Sequence, residues 1–190
     1  MKLPTIKSYK NHWNIHDVIL ISLIAVFFGI IYQVWNYIYY ALAATPLKPY
    51  ANDLTLGVWL MAGPLSAILI KKRNACLIGE LLAAIIEMFL FSSWGVGNII
   101  SGFVQGFGSE LGFAFTGYRK FNGWGLFLST ITSTIITFLW DLFQNGYLSY
   151  PLQMLITLFI IRFISIGLFS GILVAAIQKL LIRTKVLNNA

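Results

Sequence analysis

Four carboxylates and one guanidinium stand where the surrounding sequence is almost wholly apolar: Glu80, Glu87, Glu110, Asp141 and Arg162. Placing an Asp or Arg at the centre of a bilayer-spanning helix costs about 2.5–3.5 kcal/mol even on a lenient insertion scale. Such residues are expected to pair with one another, to hold a ligand or to move protons. Glu80 and Glu87 are two helical turns apart and so face one way. Counting helical rise from the ends of the apolar runs sorts the charges into two layers. Glu80, Glu110 and Arg162 fall in an inner layer, where they can neutralise one another as a structural ion network. Glu87, Gln105 and Asp141 fall in an outer layer with no basic residue at its depth. That outer layer is an acidic patch suited to a cationic ligand. Asp17 and Asp53, the remaining acids, are expected at the interfaces.

Aromatic residues gather at the same outer depth. Trp35, Tyr39, Trp59, Trp94, Trp140 and Tyr147 all fall near outer ends of apolar runs, and Asn98 opens the fourth run there. An interfacial belt accounts for such residues. A cage that stacks on an aromatic or positively charged ring is the sharper alternative. Trp94 is its best member, because it lies in a glycine-rich connection directly above Glu87.

These side chains must be carried by membrane helices. The chain has 190 residues, 58% hydrophobic and 10% charged, too few polar residues to cover a soluble domain. Apolar runs cover about 17–44, 54–70, 75–91, 98–117, 124–143 and 151–181, separated by Thr45–Pro49, Lys71–Arg73, Ser92–Asn98, Arg119–Lys120 and Asn145–Tyr147. We therefore expect an all-α membrane protein of six transmembrane helices, forming one domain over 1–190 with a tail at 1–16. The runs are about twice the length of barrel strands, against a β-barrel. Lys2, Lys7, Lys10, Lys71, Lys72, Arg73, Arg119, Lys120, Lys179, Arg183 and Lys185 all fall on one side of a six-span arrangement, and the other side carries only Lys48. The positive-inside bias makes that first side, with both termini, cytoplasmic. Gly102/Gly106, Gly108/Gly112 and Ala25/Gly29 have the small-x-x-x-small spacing of closely packed membrane helices.

Several chemistries lack their residues. The formal charge of +7 is spent on topology, with no basic patch interleaved with aromatics for nucleic acid. One cysteine, Cys76, excludes an intramolecular disulfide or a Cys-x-x-Cys pair, and its apolar neighbours suit a buried thiol. No phosphate-binding Gly-x-x-x-x-Gly-Lys-Ser/Thr motif occurs. His12 and His16 lack the Glu of a His-Glu-x-x-His metal site, and no histidine lies in the runs. No resident cofactor or metal is expected, and no enzymatic activity.

Four segments carry a resemblance: Gly79–Glu87, Gln105–Glu110, Trp140–Tyr147 and Ile161–Ser165. In this order they resemble the YkoE family, substrate-binding S components of energy-coupling factor (ECF) transporters linked to thiamine or its hydroxymethylpyrimidine precursor. The resemblance implies a multi-pass subunit of a bacterial plasma membrane, with an outward-facing vitamin pocket. It also implies a transmembrane coupling (T) protein and two cytoplasmic ATPases as partners. S components often touch the coupling protein through an Ala-x-x-x-Ala motif in the first helix; the matching positions here are Ala25 and Gly29. Thiamine suits the outer patch, since its thiazolium is a permanent cation and its aminopyrimidine offers donors, acceptors and a stacking face. The expected ligand contacts are Glu87, Gln105, Asp141, Trp94, Asn98, Trp59, Glu80, Glu110, Trp35 and Tyr147, with residues 45–53 as a lid. Two other classes compete. One is an autonomous proton-coupled carrier with Glu80, Glu87 and Glu110 as a relay. The other is an intramembrane hydrolase, which lacks a second deep aspartate.

Overall fold

The computed structural model describes residues 12–183, so most of the 1–16 tail, with Lys2, Lys7 and Lys10, and Lys185 lie outside the described residues. The fold is all-α. Its helices are α1 (Ile15–Ala43), α2 (Lys48–Thr55), α3 (Ala62–Ile70), α4 (Ala75–Phe89), α5 (Gly97–Phe115), α6 (Gly123–Gln144), α7 (Leu152–Ile166) and α8 (Val174–Arg183). Four stretches are long and apolar enough to cross a membrane: Ile15–Ala43, Lys48–Ile70, Gly123–Gln144 and Leu152–Arg183.

The second of these is the hub. Most of its residues are buried, whereas the first and last stretches are buried along only a minor part and turn broad apolar faces such as Phe27, Ile30, Ile164 and Ile172 outward. Outward apolar faces of this extent suit contact with lipid. This rod begins at Lys48, six residues before the apolar run, because Pro49 can occupy a helix's first turn without forfeiting a hydrogen bond. It then breaks between α2 and α3, with a 3₁₀ turn at Val58–Leu60.

A broken rod frees backbone groups that lipid cannot satisfy. Its neighbours supply the partners. Trp35 Nε1 donates to Thr55 O at 3.0 Å, and Ser165 Oγ donates to Leu54 O at 2.8 Å. Gly57 N donates to Ser165 Oγ at 3.1 Å, and Ser170 Oγ donates to Leu60 O at 2.9 Å. Ser170 lies in a π-helical stretch, Gly167–Leu173, between α7 and α8.

The glycine spacings in α5 act on two different neighbours. A Cβ at Gly102 or Gly106 would press into α4 at Ala84, Leu77 and Glu80. One at Gly108 or Gly112 would press into α6 at Ser133 and Ser129. The helix is therefore wedged between α4 and α6, with which it packs extensively.

Ala25 and Gly29 require a correction. Both are buried, and a Cβ on Gly29 would come within 2.6 Å of Ile86 Cγ2. Their small size lets α1 approach α4, so they do not form an exposed contact for a coupling protein. The exposed face of α1 instead carries Leu23, Phe27, Ile30 and Val34.

Candidate functional site

The connections 44–47, 90–96 and 145–151 lie at one end of the bundle, and the basic connections 71–74 and 116–122 at the other. A cavity of about 510 Å³ opens towards the first end, within the range of small-molecule sites. Its lining includes Glu87, Asn98, Gln105, Asp141, Trp59, Trp94 and Tyr147 from the expected set. The broken rod adds Leu56 and, from the part of α2 that overlaps the 45–53 segment expected as a lid, Lys48, Pro49 and Asn52; α6 adds Trp140. A discontinuous helix beside a ligand cavity is a recurrent arrangement in membrane transport proteins.

Glu87 marks one pole. Its Oε1 accepts from Asn36 Nδ2 at 2.8 Å, and Asn36 Oδ1 accepts from Trp94 Nε1 at 3.2 Å. Above them Trp94 packs against Tyr39 and Tyr40, and Tyr39 against Trp59. Tyr40 and Ser93 share a hydroxyl hydrogen bond that ties α1 to the 90–96 turn. Trp59 Nε1 is a buried donor without a partner among the described residues, and the Asn98 amide lies against the Glu87 carboxylate. An unpaired donor in a cavity wall suits a ligand that brings an acceptor.

Asp141 marks the other pole. Its Oδ2 accepts from Arg162 Nη2 at 2.5 Å and from Asn52 Nδ2 at 2.9 Å, and its Oδ1 accepts from Asn145 Nδ2 at 2.9 Å. Arg162 Nε also donates to Asp53 Oδ1 at 2.6 Å, and Tyr147 OH donates to Asp53 Oδ2 at 2.7 Å. The guanidinium carbon lies 5.2 Å from the Phe138 ring centre and 5.8 Å from that of Tyr147.

This geometry corrects the expected ion network. Arg162 pairs with Asp53 and Asp141, not with Glu80 or Glu110. Helical rise places a Cα, but an arginine side chain carries its charge well away from it, and here it reaches the outer carboxylates. The outer layer thus has a cation after all, and Asp53 is fully buried beside it rather than interfacial. Three carboxylates, Glu87, Asp53 and Asp141, still face one deep guanidinium, with Lys48 at the rim.

Glu80 and Glu110 do a different job. Gly63 N donates to Glu80 Oε2 at 2.7 Å and Tyr32 OH to Oε1 at 2.8 Å, while Ala62 N donates to Tyr32 OH at 2.9 Å. These are the free N–H groups that open α3. Asn74 N donates to Glu110 Oε1 at 2.8 Å, and Cys76 N and Leu77 N donate to Oε2 at 3.0 and 3.2 Å. These open α4. A carboxylate is favoured at a helix N-terminus by the free N–H groups and by the helix dipole. Each glutamate therefore caps a neighbouring helix, and neither lines the cavity. Trp35, occupied with Thr55 O, does not line it either. Beside Glu110 at the basic end, burial and the carboxylate raise the Tyr118 phenol to about 12.

Residues missed from sequence are Asp53, Asn36, Asn52 and Asn145. Asn36 had a signal, as an amide inside an apolar run. Asn52-Asp53 had one in retrospect, as an amide–acid pair soon after a helix-starting proline.

Comparisons with known proteins agree with this architecture. Residues 16–136 match the family described as the permease component of the ABC-type cobalt transport system. The chain is 31% identical over 176 residues to the putative HMP/thiamine permease protein YkoE of Bacillus subtilis (strain 168), covering 93% of this chain and 88% of that protein. A crystal structure of an S-component of an ECF transporter superposes with a TM-score of 0.88 at 30% identity, over 94% of this chain and 90% of that one.

Proposed function

Because this chain belongs to the YkoE-related S-components of ECF transporters, and to the cobalt-type permease family its residues 16–136 match, we propose that it captures thiamine or its hydroxymethylpyrimidine precursor. It is a multi-spanning, substrate-binding subunit of a bacterial plasma-membrane importer. The observation that carries the ligand assignment is the pairing of Glu87 and Asp141 in one cavity walled by Trp59, Trp94 and Trp140. The excess of carboxylate over guanidinium suits a permanent cation, the indoles suit flat rings, and the free Trp59 donor suits a ring nitrogen or a hydroxyl. Glu87, Gln105, Asn98, Asp141, Trp94, Trp59 and Tyr147 are the proposed contacts.

The finer topology belongs to the same proposal. Six rods, α1, α2–α3, α4, α5, α6 and α7–α8, would cross the membrane within one domain. The positive-inside rule puts the basic end in the cytoplasm and the cavity outside. A T protein and two ATPases would complete the transporter. The family description names cobalt, but the cavity's aromatic walls favour an organic cation. Among the described residues no group of three or more His, Cys, Asp or Glu side chains is arranged to hold a metal ion.

Thermal denaturation of the purified protein tests the ligand. Thiamine should raise the unfolding temperature, and Co²⁺ should not; the opposite pattern would transfer the assignment to the metal. The proton-coupled carrier has less support, because a relay through Glu80 and Glu110 would uncap α3 and α4 with every transfer.

A further inference from the structure

Asn36 does not line the cavity, yet it joins two residues that do. It sits in the C-terminal third of α1, 3% exposed, between the Trp94 indole and the Glu87 carboxylate. The chemistry fixes which way its amide points. An indole N–H can only donate and a carboxylate can only accept, so the amide oxygen must face Trp94 and the NH₂ must face Glu87. Its second N–H reaches Gln33 Oε1 at 3.2 Å on the same helix. Rotating the amide would break the hydrogen bonds on both sides and turn oxygen against carboxylate.

Trp94 is held more loosely. It is 46% exposed, in a turn where Phe91 and Gly95 have φ of 64° and 55°. The rings of Tyr39 and Tyr40, centred 5.5 and 6.5 Å away, pack on it, and Asn36 takes its only ring N–H. With that N–H removed, only Glu87 and Gln33 still orient the amide, one of its two anchors is gone, and the hold on Glu87 Oε1 weakens.

We propose that Asn36 is a positioning residue that latches Trp94 to Glu87, so that the docked indole keeps the carboxylate presented to the ligand. This rests on the cavity being the thiamine site, but the latch itself needs no ligand. Trp94 affects Glu87 without any hydrogen bond between them, and that indirect influence is what can be measured.

Two double-mutant cycles, Asn36→Ala with Trp94→Phe and Trp94→Phe with Glu87→Ala, test it. Each is read as the unfolding temperature of ligand-free protein, and the first also as thiamine Kd. Trp94→Phe keeps an aromatic ring for packing but removes the N–H together with part of the indole's contact area. It should weaken thiamine binding about threefold and Asn36→Ala about tenfold, a tenfold loss corresponding to about 1.4 kcal/mol. In the Asn36→Ala background, Trp94→Phe should cost clearly less than in wild type, in Kd and in unfolding temperature, because only the loss of ring area remains. Effects that simply multiply would overturn the proposal. If Asn36→Ala fails to fold, the second cycle decides: a cost of Trp94→Phe that shrinks without the Glu87 carboxylate supports the latch, and an undiminished cost refutes it. If the wild-type protein binds no thiamine, the ligand assignment falls, and the ligand-free unfolding temperatures still settle the latch.

Discussion

Arg162 and Asp53 lie 109 positions apart in the chain and are joined by a 2.6 Å bond from Nε to Oδ1, with both side chains fully buried. The pair fastens α7 to α2, and through Asp141 it extends to α6. It thus fixes one wall of the cavity while leaving Asp141 in the lining.

Removing the cation should be costly, because two carboxylates would then be buried without it. Arg162→Met is expected to destabilise the fold by about 3–5 kcal/mol, the usual cost of stranding a buried charge. Denaturation in detergent measures this. An Arg162→Met protein as stable as wild type would mean the network contributes little to holding α2, α6 and α7 together.

Glu80→Gln and Glu110→Ala should lower stability by about 1–3 kcal/mol each, as backbone donors lose all or part of a charged acceptor. Thiamine affinity should stay within about twofold of wild type in both, since neither side chain lines the cavity. A large loss of affinity in a well-folded Glu110→Ala protein would contradict its assignment as a helix cap.

The division between these carboxylates shows what the sequence could and could not reveal. Long apolar runs reveal a multi-spanning all-α fold, because burial in lipid demands them. Buried charge was equally visible at Glu80, Glu87, Glu110 and Asp141. The partners were not. Glu80 and Glu110 bind backbone N–H groups, which leave no mark in the side-chain pattern, so the depth count paired them with the remaining cation, Arg162. Asp53 escaped because its helix starts at Lys48, ahead of the apolar run, and its burial depends on a guanidinium 109 residues away. Trp35 and Trp59 carry the same side chain at the same depth, but the broken rod claims the first for Thr55 O and leaves the second in the cavity.

Small-residue spacing was ambiguous in a similar way. It reports a close approach without naming the neighbour. For Ala25 and Gly29 the neighbour is α4, so Ala25→Trp or Gly29→Leu should destabilise the protein by more than about 2 kcal/mol through overpacking. Phe27→Ala, on the exposed face of the same helix, should cost less than about 0.5 kcal/mol. Comparing the three unfolding temperatures in detergent checks this. An Ala25→Trp protein of unchanged stability would return that position to the list of surface contacts.

Calorimetric titration of the purified protein with thiamine, alongside Glu87→Gln and Asp141→Asn, tests the central claim most directly. Wild type should bind thiamine at submicromolar Kd, and hydroxymethylpyrimidine should compete. Each variant should lose at least about tenfold in affinity, or about 1.4 kcal/mol, with Glu87→Gln remaining folded because its Oε1 still accepts from Asn36. No heat from thiamine and no competition from its pyrimidine or thiazole half would contradict the assignment of this cavity as a thiamine-type site.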